Sequence, residues 1–162
     1  MLTPRNKIAA LALSAAALIG LAVHEGYQDT AYIPVPGDVP TLDFGSTTHA
    51  DGRPVKMGDK SDPIRGLIRL GQHIDEKQAA LRQCIGDVPM HQHEWDAIVS
   101  WAFNVGTGAA CKSTLVRKLQ ALDYPGACRE LLRWDRFKGQ PLRGLTIRRQ
   151  AEFKQCMGEG AP

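Results

Sequence analysis

His24-Glu25-Gly26-Tyr27-Gln28-Asp29-Thr30-Ala31-Tyr32-Ile33, then Pro34-Val35-Pro36-Gly37-Asp38-Val39, then Pro40-Thr41-Leu42-Asp43-Phe44 is the stretch whose reading decides the fold. Short runs such as Ala31-Tyr32-Ile33 and Pro40–Phe44 are separated by Pro-stiffened turns, so residues 24–62 read as a small β-hairpin lobe. From Pro63 onward the apolar spacing becomes helical. Ile64, Leu67, Ile68 and Gly71, then Ile74, Ala79, Leu81 and Ile85, predict one long amphipathic helix or two, ended by Gly86-Asp87-Val88-Pro89. Trp95, Ile98, Val99, Ala102 and Phe103 mark a further helix stopped by Gly106 and Gly108, and Ser113-Thr114-Leu115 opens another that runs through Leu122. Asp123-Tyr124-Pro125-Gly126 reads as a turn, Ala127 to Trp134 as a helix, Lys138–Pro141 as a loop, and about Thr146 to Cys156 as the last helix. The expected fold is α+β, with a helical lobe over about 63–162, a small β lobe over about 24–62, and a cleft between them.

The chain has 162 residues, one domain's worth. Its 43% hydrophobic and 23% charged residues are ordinary for a globular protein and argue against disorder and against a polytopic membrane protein. A net charge of +3 is too small for a long nucleic-acid footprint but suits an anionic polymer or membrane surface. Cys84, Cys111, Cys128 and Cys156 contain no CxxC pair and no tight Cys/His cluster, so no metal site is expected, and His24, His91 and His93 show no ligand spacing. Four cysteines in a chain with an export-like start suggest two disulfides and an oxidising compartment. Three pairings are open. Cys84 with Cys111 and Cys128 with Cys156 is favoured, against the alternative of buried free thiols.

Residues 1–23 depart from this average. Arg5 and Lys7 precede Ile8–Val23, sixteen residues without a charge, which is the layout of a basic n-region and an apolar h-region. No small-x-small cleavage site follows. As one helix the run would span about 24 Å, short of a hydrocarbon core of about 30 Å. Seven of the sixteen residues are Ala and one is Gly, so insertion should be weak and reversible. The competing reading is a buried core helix, and both readings can hold at different times.

Glu25 is the first acid in the chain and lies where the apolar helix should end, with Gly26 as its C-cap. A carboxylate facing the carbonyl end of a helix suits a general acid. Thr41 and Asp43 are two apart, so on an extended strand they share a face, and Asp38 sits in the turn before them. A hydroxyl and a carboxylate opposite an acid is the layout of an inverting glycosidase, whose acid and base stand far enough apart to admit a water. Asn104, near a Gly-rich helix end, suits an N-acetyl group or a cap, and Arg148 and Arg149 suit anionic peptide stems or a solvated face. Trp95, Trp101 and Trp134 read as core.

These residues resemble the phage-type lysozymes, or endolysins. The resemblance is carried by Glu25-Gly26-Tyr27 through Ala31-Tyr32, Thr41–Thr47, Trp101-Ala102-Phe103-Asn104-Val105-Gly106, Ser113–Leu119, Arg133-Trp134 and Gly144-Leu145-Thr146-Ile147-Arg148-Arg149, in the family's order. It implies a muramidase that cuts peptidoglycan glycan strands as a monomer, with no cofactor, no metal and no nucleic-acid partner. The N-terminus resembles the signal-arrest-release segments of exported endolysins, which implies tethering to the host inner membrane and release into the periplasm. The family's catalytic pattern is Glu, an Asp or Cys nine residues on, and a Thr six further. Here Glu25 plus nine is Pro34, and Thr41 lies one beyond Pro40, so the loop carries an insertion and the second carboxylate must come from elsewhere. Asp38 is favoured slightly over Asp43, which occupies a position commonly Gly in the family. A catalytically weak peptidoglycan-binding protein of the same fold and a lytic transglycosylase are the alternatives.

Overall fold

The computed structural model describes residues 4–159. They form two compact units, one made of the chain up to Ala17 together with Glu76 onward, the other of Leu18–Asp75.

Helix α1 (Ala15–Glu25), which belongs to the smaller unit from Leu18 on, leads into strand β2 (Gln28–Tyr32), which pairs antiparallel with β3 (Thr41–Asp43). Gln28 faces Asp43 and Tyr32 faces Thr41, so four steps along β2 match two along β3. This irregularity bends the hairpin. Isolated bridges Thr30–Lys60, Leu42–Ser46 and Thr48–Pro54 tie the following loops to it, over a small core of Ala31, Leu42 and Val55. The expected β lobe is therefore present. Its strands are short because Pro34, Pro36 and Pro40 exclude ladder hydrogen bonds from the loop between them. Helix α2 (Pro63–Ile85) is a single helix that runs out of this unit into the other.

In the larger unit, β4 (Pro89–Met90) precedes α3 (Gln92–Val105), in which Trp95, Ile98, Val99, Trp101 and Ala102 are all fully buried. Gly106 takes a φ of 85° and ends α3 where the glycine signal placed the stop. A short helix α4 (Thr107–Cys111) follows, which the glycines there had argued against. α5 (Thr114–Gln120) is capped by Ser113, whose hydroxyl accepts from the Val116 N–H at 3.2 Å. The turn expected at 123–126 is instead the first turn of α6 (Tyr124–Glu130). The Asp123 carboxylate accepts from the Gly126 N–H at 2.9 Å as the N-cap and so starts the helix at Tyr124, three residues before the expected Ala127. A 3₁₀ turn over Leu131–Arg133 extends it, and β5 (Arg136–Phe137) and β6 (Gln140–Pro141) form a hairpin. Its two turn residues, Lys138 and Gly139, have φ of 49° and 80°, the geometry of a two-residue hairpin turn. α7 (Arg143–Cys156) closes the unit. Disulfides join Cys84 to Cys111 and Cys128 to Cys156, the favoured pairing.

The N-terminal run differs from the single helix expected over 8–23. It consists of β1 (Asn6–Lys7), paired with β4, a 3₁₀ turn over Ile8–Ala10, and an extended stretch before α1 begins at Ala15. Ser14, the most polar residue of the run, decides this: its hydroxyl accepts from the Ala17 N–H at 3.2 Å and serves as an N-cap. Among the described residues no helix is long and apolar enough to cross a membrane.

Candidate active site

Glu25 is the last residue of α1, and the chain turns sharply after it because Gly26, at φ 69°, donates its N–H to the Ala22 carbonyl at 3.1 Å. This left-handed cap needs glycine. Glu25 is partly buried. A Cβ built on Gly45 would stand 3.8 Å from Glu25 Oε2, so the carboxylate lies against the turn that follows β3. That turn is closed by reciprocal backbone bonds between Leu42 and Ser46, at 2.9 and 2.8 Å.

Asp43 sits inside the turn at φ 57°, in the left-handed region. The two-residue period of β3 therefore stops there, and the expectation that Thr41 and Asp43 share one strand face is corrected. Thr41, Leu42 and Asp43 are all buried, at 5%, 1% and 7% exposure. Asp43 Oδ1 has no hydrogen-bond partner, and a Cβ on Gly66 would meet it at 3.1 Å and the rings of Phe44 and Tyr27 at 3.2 Å. Gly66 thus permits α2 to approach the turn. Tyr27 is a residue that sequence reasoning quoted without giving it a role. Its buried hydroxyl has no partner, and burial, followed by the charge of Asp43, pushes the phenol above its ordinary pKa. An apolar groove lined by Ile19, Val23, Tyr27, Phe44 and Leu67 runs beside Gly26. A polar pocket with His49, Lys60, Arg65 and Arg69 in its lining includes Asp43.

Asp38 is exposed. Its carboxylate accepts from the Val39 N–H at 2.8 Å, and its own N–H donates to the Val35 carbonyl at 3.0 Å. Thr41 Oγ1 donates to the Val39 carbonyl at 3.1 Å. Asp38 and Thr41 are therefore both anchored on Val39, one on its N–H and the other on its carbonyl.

Glu25, Asp38, Thr41 and Asp43 all belong to the smaller unit, whereas Asn104 and Arg148 belong to the larger. Asn104 is exposed at the end of α3, and its side-chain oxygen accepts from Arg149 Nη2. Arg148 is not on a solvated face. It is 9% exposed, pairs with Glu152 at 3.1 Å and donates to the Ser100 carbonyl at 3.2 Å. Arg149 is fully buried and pairs with the same Glu152 at 2.5 Å. Burial holds the Arg149 guanidinium below its ordinary pKa against the opposing charge of Glu152. The adjacent arginines are consumed in knitting α7 to α3, a role that a sequence pair cannot distinguish from an anion site. Trp95 and Trp101 are core, and Trp134 stacks edge-on against Trp101 at 5.3 Å. Among the described residues no group of three or more His, Cys, Asp or Glu side chains could hold a metal ion.

The phage lysozyme family model matches residues 22–152. A SAR-endolysin of Pseudomonas phage phiKMV is 33% identical over 94% of this chain and 92% of its own length. An endolysin of Acyrthosiphon pisum secondary endosymbiont phage 1 is 37% identical over 69% of this chain and 75% of its own. The solved structure of an endolysin from Escherichia coli O157:H7 phage FAHEc1 superposes with a TM-score of 0.81 at 29% identity, covering 94% of this chain and 98% of that one. The chain belongs to the phage lysozyme family. It is a lysozyme-type glycoside hydrolase with the family's α+β fold, and it acts in cell-wall lysis with peptidoglycan as its substrate.

Proposed function

We propose that this chain is an endolysin muramidase that hydrolyses the β-1,4 bond between N-acetylmuramic acid and N-acetylglucosamine with inversion. Glu25 protonates the glycosidic oxygen as the bond to the anomeric carbon breaks. Asp38 takes a proton from a water that Thr41 helps to orient, and that water adds to the opposite face of the oxocarbenium-like centre. The observation that carries this reading is the position of the Glu25 carboxylate against the β3 turn, within 3.8 Å of the Gly45 Cβ position, beside the strand that carries Thr41. Asp38 is favoured over Asp43 because it is exposed to solvent water and shares the Val39 anchor with Thr41, whereas Asp43 is 7% exposed and faces Gly66. Replacing Asp38 by Ala should lower hydrolysis of purified peptidoglycan at least a hundredfold. An anhydro-sugar product would indicate a transglycosylase instead, and binding without new reducing ends a binding protein.

The uncharged Ile8–Val23 run behind Arg5 and Lys7, together with relatives named SAR-endolysins, supports tethering to the host inner membrane before release into the periplasm. The two disulfides fit that oxidising compartment. The released enzyme works as a monomer on glycan strands. Fractionation of host cells before and after membrane depolarisation tests this: the chain should move from the membrane to the soluble fraction, and a chain that stays membrane-bound contradicts release.

A further inference from the structure

Of the ten residues before α1, Asn6–Lys7 pair with β4 and Ile8–Ala10 make a single 3₁₀ turn, and the polar groups of the backbone from Ile8 to Ser14 are met one after another by side chains of α2 and α3. Arg82 donates to the Ile8 carbonyl at 3.2 Å and to the Leu11 carbonyl at 2.5 Å. Gln92 donates to the Ala12 carbonyl at 2.7 Å. Gln78 Oε1 accepts from the Leu13 N–H at 2.8 Å, and Asp96 Oδ1 accepts from the Ser14 N–H at 2.9 Å. Upstream, Arg5 grips Glu94 through two bonds, at 3.1 and 2.7 Å, and lies 3.7 Å over the Tyr124 ring. Ile8 and Leu11 are buried at 3% and 5% exposure.

The partners are not incidental surface groups. Gln78, Glu94 and Asp96 are 2%, 3% and 4% exposed. Gln78 is further held by the Trp95 indole N–H at 3.0 Å, Asp96 by Gln92 at 2.8 Å, and Glu94 by the His91 N–H at 2.8 Å. Those bonds fix the three side chains in place, and the backbone of the segment and Arg5 take up further hydrogen-bonding capacity of the same buried oxygens and carboxylates, so the body presents an oriented polar face to a backbone.

We propose that Gln78, Arg82, Gln92, Glu94 and Asp96 form an acceptor site for an extended apolar peptide with an arginine at its upstream end, and that its ligand is the chain's own residues 5–14. In a membrane helix those backbone groups would bond to one another, so leaving the membrane means unwinding this half of the segment, and the acceptor supplies the replacement partners. Filling it places Ser14 at the cap of α1 and so sets the start of the helix that ends in Glu25. The proposal rests on the release reading above.

The test uses the full chain with Asp96→Ala, which removes the acceptor for the Ser14 amide, and with Gln92→Ala at an exposed position that keeps the test decisive if the first variant misfolds. In the purified soluble protein, hydrogen exchange at the Leu13 and Ser14 amides should be slow in wild type and at least tenfold faster at Ser14 in Asp96→Ala. After an uncoupler is added to expressing cells, transfer to the soluble fraction should be at least threefold slower in both variants. Wild-type release with unchanged exchange and unchanged transfer in both variants overturns the acceptor. A wild-type chain that never leaves the membrane overturns the release reading instead.

Discussion

Asp43→Gly should make this lysozyme more stable and leave it active. Asp43 holds a φ of 57° and buries an Oδ1 with no hydrogen-bond partner. The left-handed conformation costs a non-glycine residue about 1 kcal/mol, and an unsatisfied buried acceptor about 1–3 kcal/mol. Glycine removes both and returns about 0.5–1 kcal/mol through the greater entropy of its unfolded chain. The net gain is about 1–3.5 kcal/mol, or a rise of about 3–10 °C in Tm for a chain of this size. Asp43→Ala relieves the orphaned oxygen and avoids the glycine entropy cost but keeps the strain, so it should gain nearly as much, at most about 0.5 kcal/mol less than the glycine variant. Calorimetry on the oxidised protein reads both, and peptidoglycan turnover should stay within about twofold of wild type. A lower Tm for Asp43→Gly, or loss of turnover without misfolding, refutes the reasoning and returns the second carboxylate to Asp43.

The acid limb of stability should depend on Asp59, whose carboxylate accepts from the Lys56 N–H and pairs with His49, both at 2.8 Å, and is held below its ordinary pKa first by the backbone bond and then by His49. Its contribution is therefore present above the unfolded value near about 3.9 and is lost as pH falls through the depressed folded value. Asp59→Asn should flatten the Tm-against-pH curve below about pH 4, and an unchanged slope contradicts the pairing. Asp123→Ala removes the α6 cap and should lower the urea midpoint, with no change in turnover per folded molecule. The Cys84–Cys111 and Cys128–Cys156 bridges, with separations of 27 and 28 residues, should each contribute about 3–4 kcal/mol. Reduction should lower the denaturation midpoint sharply, and an unchanged midpoint would mean that the bridges constrain little.

Most of the fold was legible because its signals are local. Gly26 and Gly106 stop helices where left-handed caps demand glycine, and the Pro-rich 34–40 loop separates two strands in the order expected. The misreadings share a cause, which is that a side chain has one composition and several uses. Ser14 in an apolar run reads as a tolerated helix residue, and only the capping bond to Ala17 turns it into a boundary. Asp123 in a Pro-Gly turn reads as a turn residue when it caps a helix. Arg148 and Arg149 read as an anion site or a solvated face, yet a single buried Glu152 pairs with both. At the candidate site, the position of Glu25 at a helix end was legible from the apolar run before it. The left-handed turn at Asp43 was not, because spacing of two implies a common face only while the strand continues.

The central claim is that Glu25 is the acid of a peptidoglycan hydrolase, and mass spectrometry of purified peptidoglycan digested by wild type and by Glu25→Gln tests it most directly. Wild type should release fragments that each gain one water and end in reducing N-acetylmuramic acid. Glu25→Gln, folded and disulfide-bonded, should release them at least a thousandfold more slowly. Undiminished release by Glu25→Gln would contradict the account.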